Sequence, residues 1–142
     1  VTGEEPDAPE ESLPELFWAV ARRLRHHSRR TLEPWEINPG HARALAVLGR
    51  HGAIRLRALA DHLHIAPRSA TEVVDGLEER GLVARRPDPA DRRATLVTLT
   101  DEGKQVGRAI RAARDAEAQR FFGHLSPADR DHLTRILRTL RD

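Results

Sequence analysis

The spacing of apolar residues along this chain changes character twice. Leu13, Leu16, Phe17, Val20 and Leu24 recur at steps of three and four, which marks one face of an amphipathic helix running to about Arg30. Pro34 and Pro39 bracket a loop that holds Trp35 and Ile37. A second helix is predicted from about Gly40 to Arg50, with Ala44, Leu45 and Leu48 inward and Gly52 closing the turn after it. The elements then shorten. Ile54-Arg55-Leu56 alternates as a tiny strand, and Leu59, Ala60 and Leu63 mark a short helix. Pro67 opens another helix, at the position where a residue without an N–H costs nothing. That helix gathers Ala70, Val73, Val74 and Leu77 on one face and stops at Gly81.

Past Gly81 the period falls to two, so Leu82–Arg86 and Ala94–Leu99 are predicted strands, with Pro87-Asp88-Pro89-Ala90-Asp91 as the hairpin tip. Helical spacing then returns. Thr100 can cap a helix that begins with Asp101 and Glu102, acids at the positive end of its dipole, and that carries Val106, Ile110, Ala113 and Phe121. Ser126-Pro127-Ala128-Asp129 starts a last helix with the stripe Leu133, Ile136, Leu137 and Leu140. The predicted fold is therefore mainly α with a small antiparallel β-hairpin wing. A short helix, a turn, a longer helix and a hairpin form a winged helix-turn-helix, whose second helix enters the major groove while the hairpin reaches toward the minor groove.

Charge and composition narrow the partner. Residues Val1 to Ser12 hold five acids (Glu4, Glu5, Asp7, Glu10, Glu11) and no base, and read as a flexible tail. The remainder sets 24 basic residues against 17 acids, a balance that favours a polyanion such as double-stranded DNA. Lys104 is the only lysine, an arginine bias that a GC-rich coding sequence also produces, so basicity alone is weak support. Cysteine is absent, which excludes disulfides, cysteine-rich zinc sites and thiol redox sensing. No apolar run approaches the length of a membrane span and the opening residues are acidic, so neither a span nor a secretory signal is predicted and a cytoplasmic location is expected.

One block carries a resemblance. Leu77-Glu78-Glu79-Arg80-Gly81-Leu82-Val83, then Pro87-Asp88-Pro89-Ala90-Asp91-Arg92-Arg93, then Leu99-Thr100-Asp101-Glu102-Gly103 resembles the signature of the MarR (multiple-antibiotic-resistance regulator) family. The resemblance implies a homodimeric transcription regulator, expected to be a repressor, acting on a palindromic operator. It divides the chain into the tail (1–12), a helical dimerisation region (13–38 and 100–142) and the DNA-binding domain (39–99). It makes Pro67–Arg80 the recognition helix, with Arg68, Ser69, Thr71 and Glu72 at its exposed start. Arg68 suits a guanine edge and Glu72 a cytosine amino group, although Glu72 is equally placed to pair with Arg68 one turn away. At the wing, Asp91 is expected to hold Arg93 through a carboxylate–guanidinium pair, with Arg92 or Arg93 entering the minor groove. Arg85 and Arg86 are candidate phosphate contacts on opposite faces of their strand, of which one reaches DNA.

The chain departs from the family pattern at Ala66, which cannot cap the recognition helix, and at Glu72 and Gly76, where basic or large polar residues are common. Glu72 and Asp75 add negative charge near the phosphates. They favour the alternative reading, a winged-helix protein-interaction module without DNA binding. Family members commonly take a small aromatic or anionic effector between the dimerisation helices and the wing domain, and the matching segments here offer Phe17, Trp18, Trp35 and His41, which core packing explains as well. The eight histidines make no recognisable metal array, no cofactor is expected, and no catalytic motif is present, so an enzyme is not predicted.

Overall fold

The computed structural model describes residues 9–142, so residues 1–8 of the expected acidic tail lie outside the described residues. The chain runs as α1 (Leu13–Leu32), a short 3-10 turn (Glu33–Trp35), α2 (Pro39–His51), β1 (Ile54–Arg55), α3 (Leu56–Leu63), α4 (Pro67–Glu79), β2 (Val83–Asp88), β3 (Asp91–Leu99), α5 (Asp101–Phe122) and α6 (Pro127–Arg141). This is a winged helix-turn-helix with flanking helices. No helix of the described residues is long and apolar enough to cross a membrane.

Side chains fix most helix starts. Ser12 Oγ accepts from the Glu15 N–H while the Glu15 carboxylate accepts from the Ser12 N–H, a reciprocal box that starts α1 where the apolar pattern starts. Asn38 caps α2 through the His41 N–H at 2.8 Å, and Ser126 caps α6 through the Asp129 N–H at 3.1 Å. Helix α4 has no such cap, as Ala66 implies, and relies on the fixed φ of Pro67. It ends where the Leu82 N–H donates to the Leu77 carbonyl at 3.0 Å, with Gly81 at φ 73°, a left-handed turn that favours glycine.

The sheet has strand order β1-β3-β2 and is antiparallel throughout, Ile54 and Arg55 pairing with Val97 and Leu96. Both hairpin strands run further than hydrophobic alternation indicates. The tip shrinks to Pro89-Ala90, because Asp88 folds it: one carboxylate oxygen accepts from the Ala90 N–H and the other from Arg55 Nε, each at 2.9 Å. Those two bonds, the backbone one foremost, hold the Asp88 carboxyl below its ordinary acidity range.

The core lies beneath the helix-turn-helix. Leu45 and Leu48 of α2, Leu59 and Leu63 of α3, Val74 and Leu77 of α4, and Val83 and Val97 of the sheet are all buried. Burying one such side chain contributes about 1.5–3 kcal/mol. Leu32 at the end of α1 and Ile110 of α5 belong to the same cluster, so packing continues past residues 38 and 100.

The start of α5 explains the Leu99–Gly103 motif. Thr100 Oγ donates to the Gly81 carbonyl at 2.6 Å and accepts from the Gly103 N–H at 3.0 Å. A Cβ on Gly103 would stand 1.9 Å from the Leu82 carbonyl oxygen, so only glycine lets α5 lie flush on the turn that ends α4. At the other end of the fold, packing is sparse. Helix α6 buries no residue, and α1 buries only Leu32.

Candidate nucleic-acid interface

Helix α4 divides cleanly into two faces. Ala70, Val74 and Leu77 are buried, while Arg68, Ser69 and Glu72 are exposed on the outer side of its first turns. Thr71 is half-buried and its hydroxyl donates to the Pro67 carbonyl at 3.1 Å, so that hydroxyl already has a partner within the helix. The Arg68–Glu72 pair is not formed, and Glu72 has no cationic partner among the described residues.

The wing gains its exposed cations from an irregularity in the sheet. Pro87 pairs with Thr95 and the next pair is Asp88 with Asp91, which leaves Arg92, Arg93 and Ala94 without partners on β2. The surplus residues bulge from the ladder and carry both arginines into solvent. Asp91 acts differently from expectation: its Oδ1 accepts from the Arg93 backbone N–H at 3.1 Å, and no Asp91–Arg93 side-chain pair forms. The carboxylate shapes the bulge, and the guanidinium stays free. Arg86 is exposed and lines a shallow groove with Arg92, Pro87, Ala94, Thr95 and part of Arg85.

Arg85 and Arg86 point to opposite sides of β2, as alternation predicts, and Arg85 is the one that turns inward. It is not turned to solvent as a phosphate contact is. Its Nη1 donates to Glu78 at 3.0 Å and its Nη2 to Asp75 at 2.5 Å, with the Thr71 carbonyl at 3.5 Å. The Arg85 main-chain N–H also donates to Glu78, at 3.2 Å. Side-chain exposures of 25% for Arg85, 61% for Asp75 and 44% for Glu78 place these ion pairs in the regime worth about 0–1 kcal/mol. Their effect is geometric more than energetic: they tie β2 to α4 and neutralise Asp75. The spacing Asp75-x-x-Glu78, one helical turn, was the available signal. The Arg55–Asp88 pair spans 33 residues and left no local trace.

The far end of α4 is tied as well. Arg80 donates to the Trp35 and Glu36 carbonyls, both at 2.6 Å, and so holds the connector between α1 and α2. Gly76 departs from the family pattern for a packing reason, since a Cβ there would meet the His41 ring at 2.8 Å. Burial, and then the charge of Arg80, push the His41 pKa below its ordinary value. Of the four residues expected around an effector, Trp35 packs on the core and His41 sits against α4, both beside this connector. Phe17 and Trp18 are exposed on the first half of α1, edge to face at 5.9 Å, about 20 Å along the helix from its end. A single chain does not bring the four together.

Known proteins match this architecture along nearly the whole chain. The family model described as "MarR family" matches residues 37–95. The transcriptional regulator MhqR of Bacillus subtilis is 30% identical over 91% of this chain and 90% of its own length. The transcriptional repressor MdtR of the same species is 28% identical over 76% of this chain and 70% of its own. In structure, BpsR of Bordetella bronchiseptica, described with the regulation of its DNA binding by 6-hydroxynicotinic acid, superposes with a TM-score of 0.77 at 28% identity, covering 97% of this chain and 99% of that one. By its similarity to these proteins over nearly its whole length, the chain belongs to the MarR family of winged helix-turn-helix, DNA-binding transcription regulators.

Proposed function

We propose that the chain is a homodimeric repressor that reads a palindromic operator and is released by a small aromatic or anionic effector. The observation that carries the DNA reading is the joint presentation of Arg68, Ser69 and Glu72 on α4 with Arg92 and Arg93 on the bulged wing, tied to that same helix through Arg85. Arg68 and Glu72 suit base edges in the major groove, and the wing arginines suit the narrow minor groove beside it.

Dimerisation is supported by apolar surface that this chain leaves open. Leu13, Leu16, Phe17 and Val20 lie on α1 beyond Arg23, the level at which α5 runs out at Phe122, and Ile136, Leu137 and Leu140 stand exposed on α6. Two such chains would set their recognition helices about 34 Å apart, in successive major grooves. Repression draws support from the repressor MdtR, and effector control from BpsR, whose effector is an aromatic acid. In this chain Trp35 and His41 adjoin the connector that Arg80 links to α4, a route by which a bound aromatic anion would shift the recognition helix. The interaction-module reading loses part of its basis, because Asp75 is neutralised by Arg85.

The test is titration of parent and variants against an operator duplex and a scrambled duplex at several salt concentrations. Arg92→Ala or Arg93→Ala is expected to weaken both complexes by similar factors and lower the salt slope by about one unit per lost phosphate contact. Arg68→Ala is expected to cost about 1–3 kcal/mol on the operator and less on the scrambled duplex. Wing variants that bind both duplexes as the parent does would remove the wing from the interface and move the interaction module ahead.

A further inference from the structure

We propose that Arg85 is a positioning residue for operator discrimination: it fastens the wing to the recognition helix through Asp75 and Glu78, and so fixes the angle at which the two elements meet DNA. The inference rests on the DNA-reading function proposed above. Two elements that enter different grooves read one site only if their mutual placement holds to about half an ångström and 10–20°. The fork of Arg85 spans both acids, Nη1 on Glu78 and Nη2 on Asp75, and the main-chain N–H of the same residue holds the second Glu78 oxygen. Strand and side chain are thus both anchored to one turn of α4. Arg86, Arg92 and Arg93 remain exposed to meet phosphates, so the four arginines of the wing divide into three that face outward and one that faces the helix.

The clamp also accounts for acids on a helix that faces a polyanion. By charge alone, Asp75 and Glu78 weaken binding to every duplex alike. Arg85 offsets one of their two negative charges, and together they supply the two-point partner that an arginine fork requires and a lysine cannot serve equally.

The experiment uses the full chain with two probes: a duplex that the parent enriches from a random-sequence pool, and a scrambled duplex of the same composition. If the acids act only by charge, Asp75→Asn with Glu78→Gln tightens binding to both duplexes and leaves their affinity ratio unchanged. The clamp predicts that the ratio falls roughly tenfold, the scale of one lost base contact. Arg85→Lys, which keeps the charge and loses the fork, is expected to lower the ratio to a similar degree with the salt slope unchanged. Thermal unfolding of each variant checks that the fold is intact, and the single Arg85→Lys change decides the matter if the double variant does not fold. An unchanged ratio in a folded Arg85→Lys overturns the proposal. So does a parent-like Arg85→Lys beside an Arg85→Ala whose salt slope drops by about one unit, the mark of a phosphate contact. A parent that enriches no sequence overturns the DNA-reading function itself, and the clamp with it.

Discussion

The helix-turn-helix and the terminal helices of this chain contain similar residues and use them in opposite ways. In α2, α3 and α4 every leucine is buried, from Leu45 to Leu77, apart from the half-buried Leu56. In α6 none is, and Leu140 is 72% exposed at the end of a stripe as regular as any in the core. Amphipathic periodicity states that a helix has an apolar face without stating what covers it. In the first region the covering element follows a few residues later in the same chain. In the second, within the described residues, it does not come at all, and this open face is the one the proposed homodimer would cover.

The largest effect that separates the two regions is expected from truncation. Removing residues 127–142 takes away no buried side chain, so the helix-turn-helix should still unfold cooperatively while the mass in solution halves. Sedimentation at micromolar concentration is the measurement, and a truncated chain that remains dimeric would break the contrast. Next comes a paired substitution. Leu77→Ala should cost about 2–5 kcal/mol of folding stability, as cavities in packed cores do. Leu140→Ala should change monomer stability by about 0.5 kcal/mol or less while lowering the unfolding midpoint of the dimer and making it less dependent on protein concentration. Urea titrations at two concentrations distinguish these outcomes.

A smaller change sharpens the boundary between the regions. Thr100→Ala removes a helix cap and the bond to Gly81, and should cost about 1 kcal/mol in a thermal or urea titration. The smallest effect concerns acidity. His41 takes up its proton less readily in the folded chain than at its ordinary value of 6.5, so the unfolded chain protonates first as pH falls. Stability from this source is complete above about pH 6.5 and declines below it, and His41→Gln should flatten that decline in unfolding midpoints measured on both sides of that value. An unchanged acid limb would show that the imidazole is not held neutral between α2 and α4.

Most of the fold was legible in the sequence because its determinants are local. Caps at Thr100 and Ser126, proline at the first position of α4 and glycine after its last turn each act within a few residues of where they stand. The exposed face of α4 was legible for the same reason, Thr71 apart. What local pattern did not supply was the destination of polar side chains across elements. Alternation placed Arg85 and Arg86 on opposite faces of β2, but not that one face looks onto Asp75 and Glu78. The family resemblance implied an Asp91–Arg93 side-chain pair, yet the carboxylate accepts from the Arg93 backbone N–H in the bulged strand. Gly76 looked like a missing contact to DNA and proved to be room for a histidine 35 residues earlier in the chain.

The seat of α5 on the Gly81 turn has a mechanical consequence. Gly103 removes any side chain between that helix and the strand backbone, and Thr100 bolts the two together, so the end of α4 and the start of α5 move as one body. Helix α5 has 22 residues and is therefore a rod of about 33 Å. A tilt of about 5° at its far end swings the joined end of the recognition helix by about 3 Å, close to the 3.4 Å between successive base pairs. In the proposed repressor, a small rearrangement among the terminal helices would be enough to take α4 out of step with its DNA.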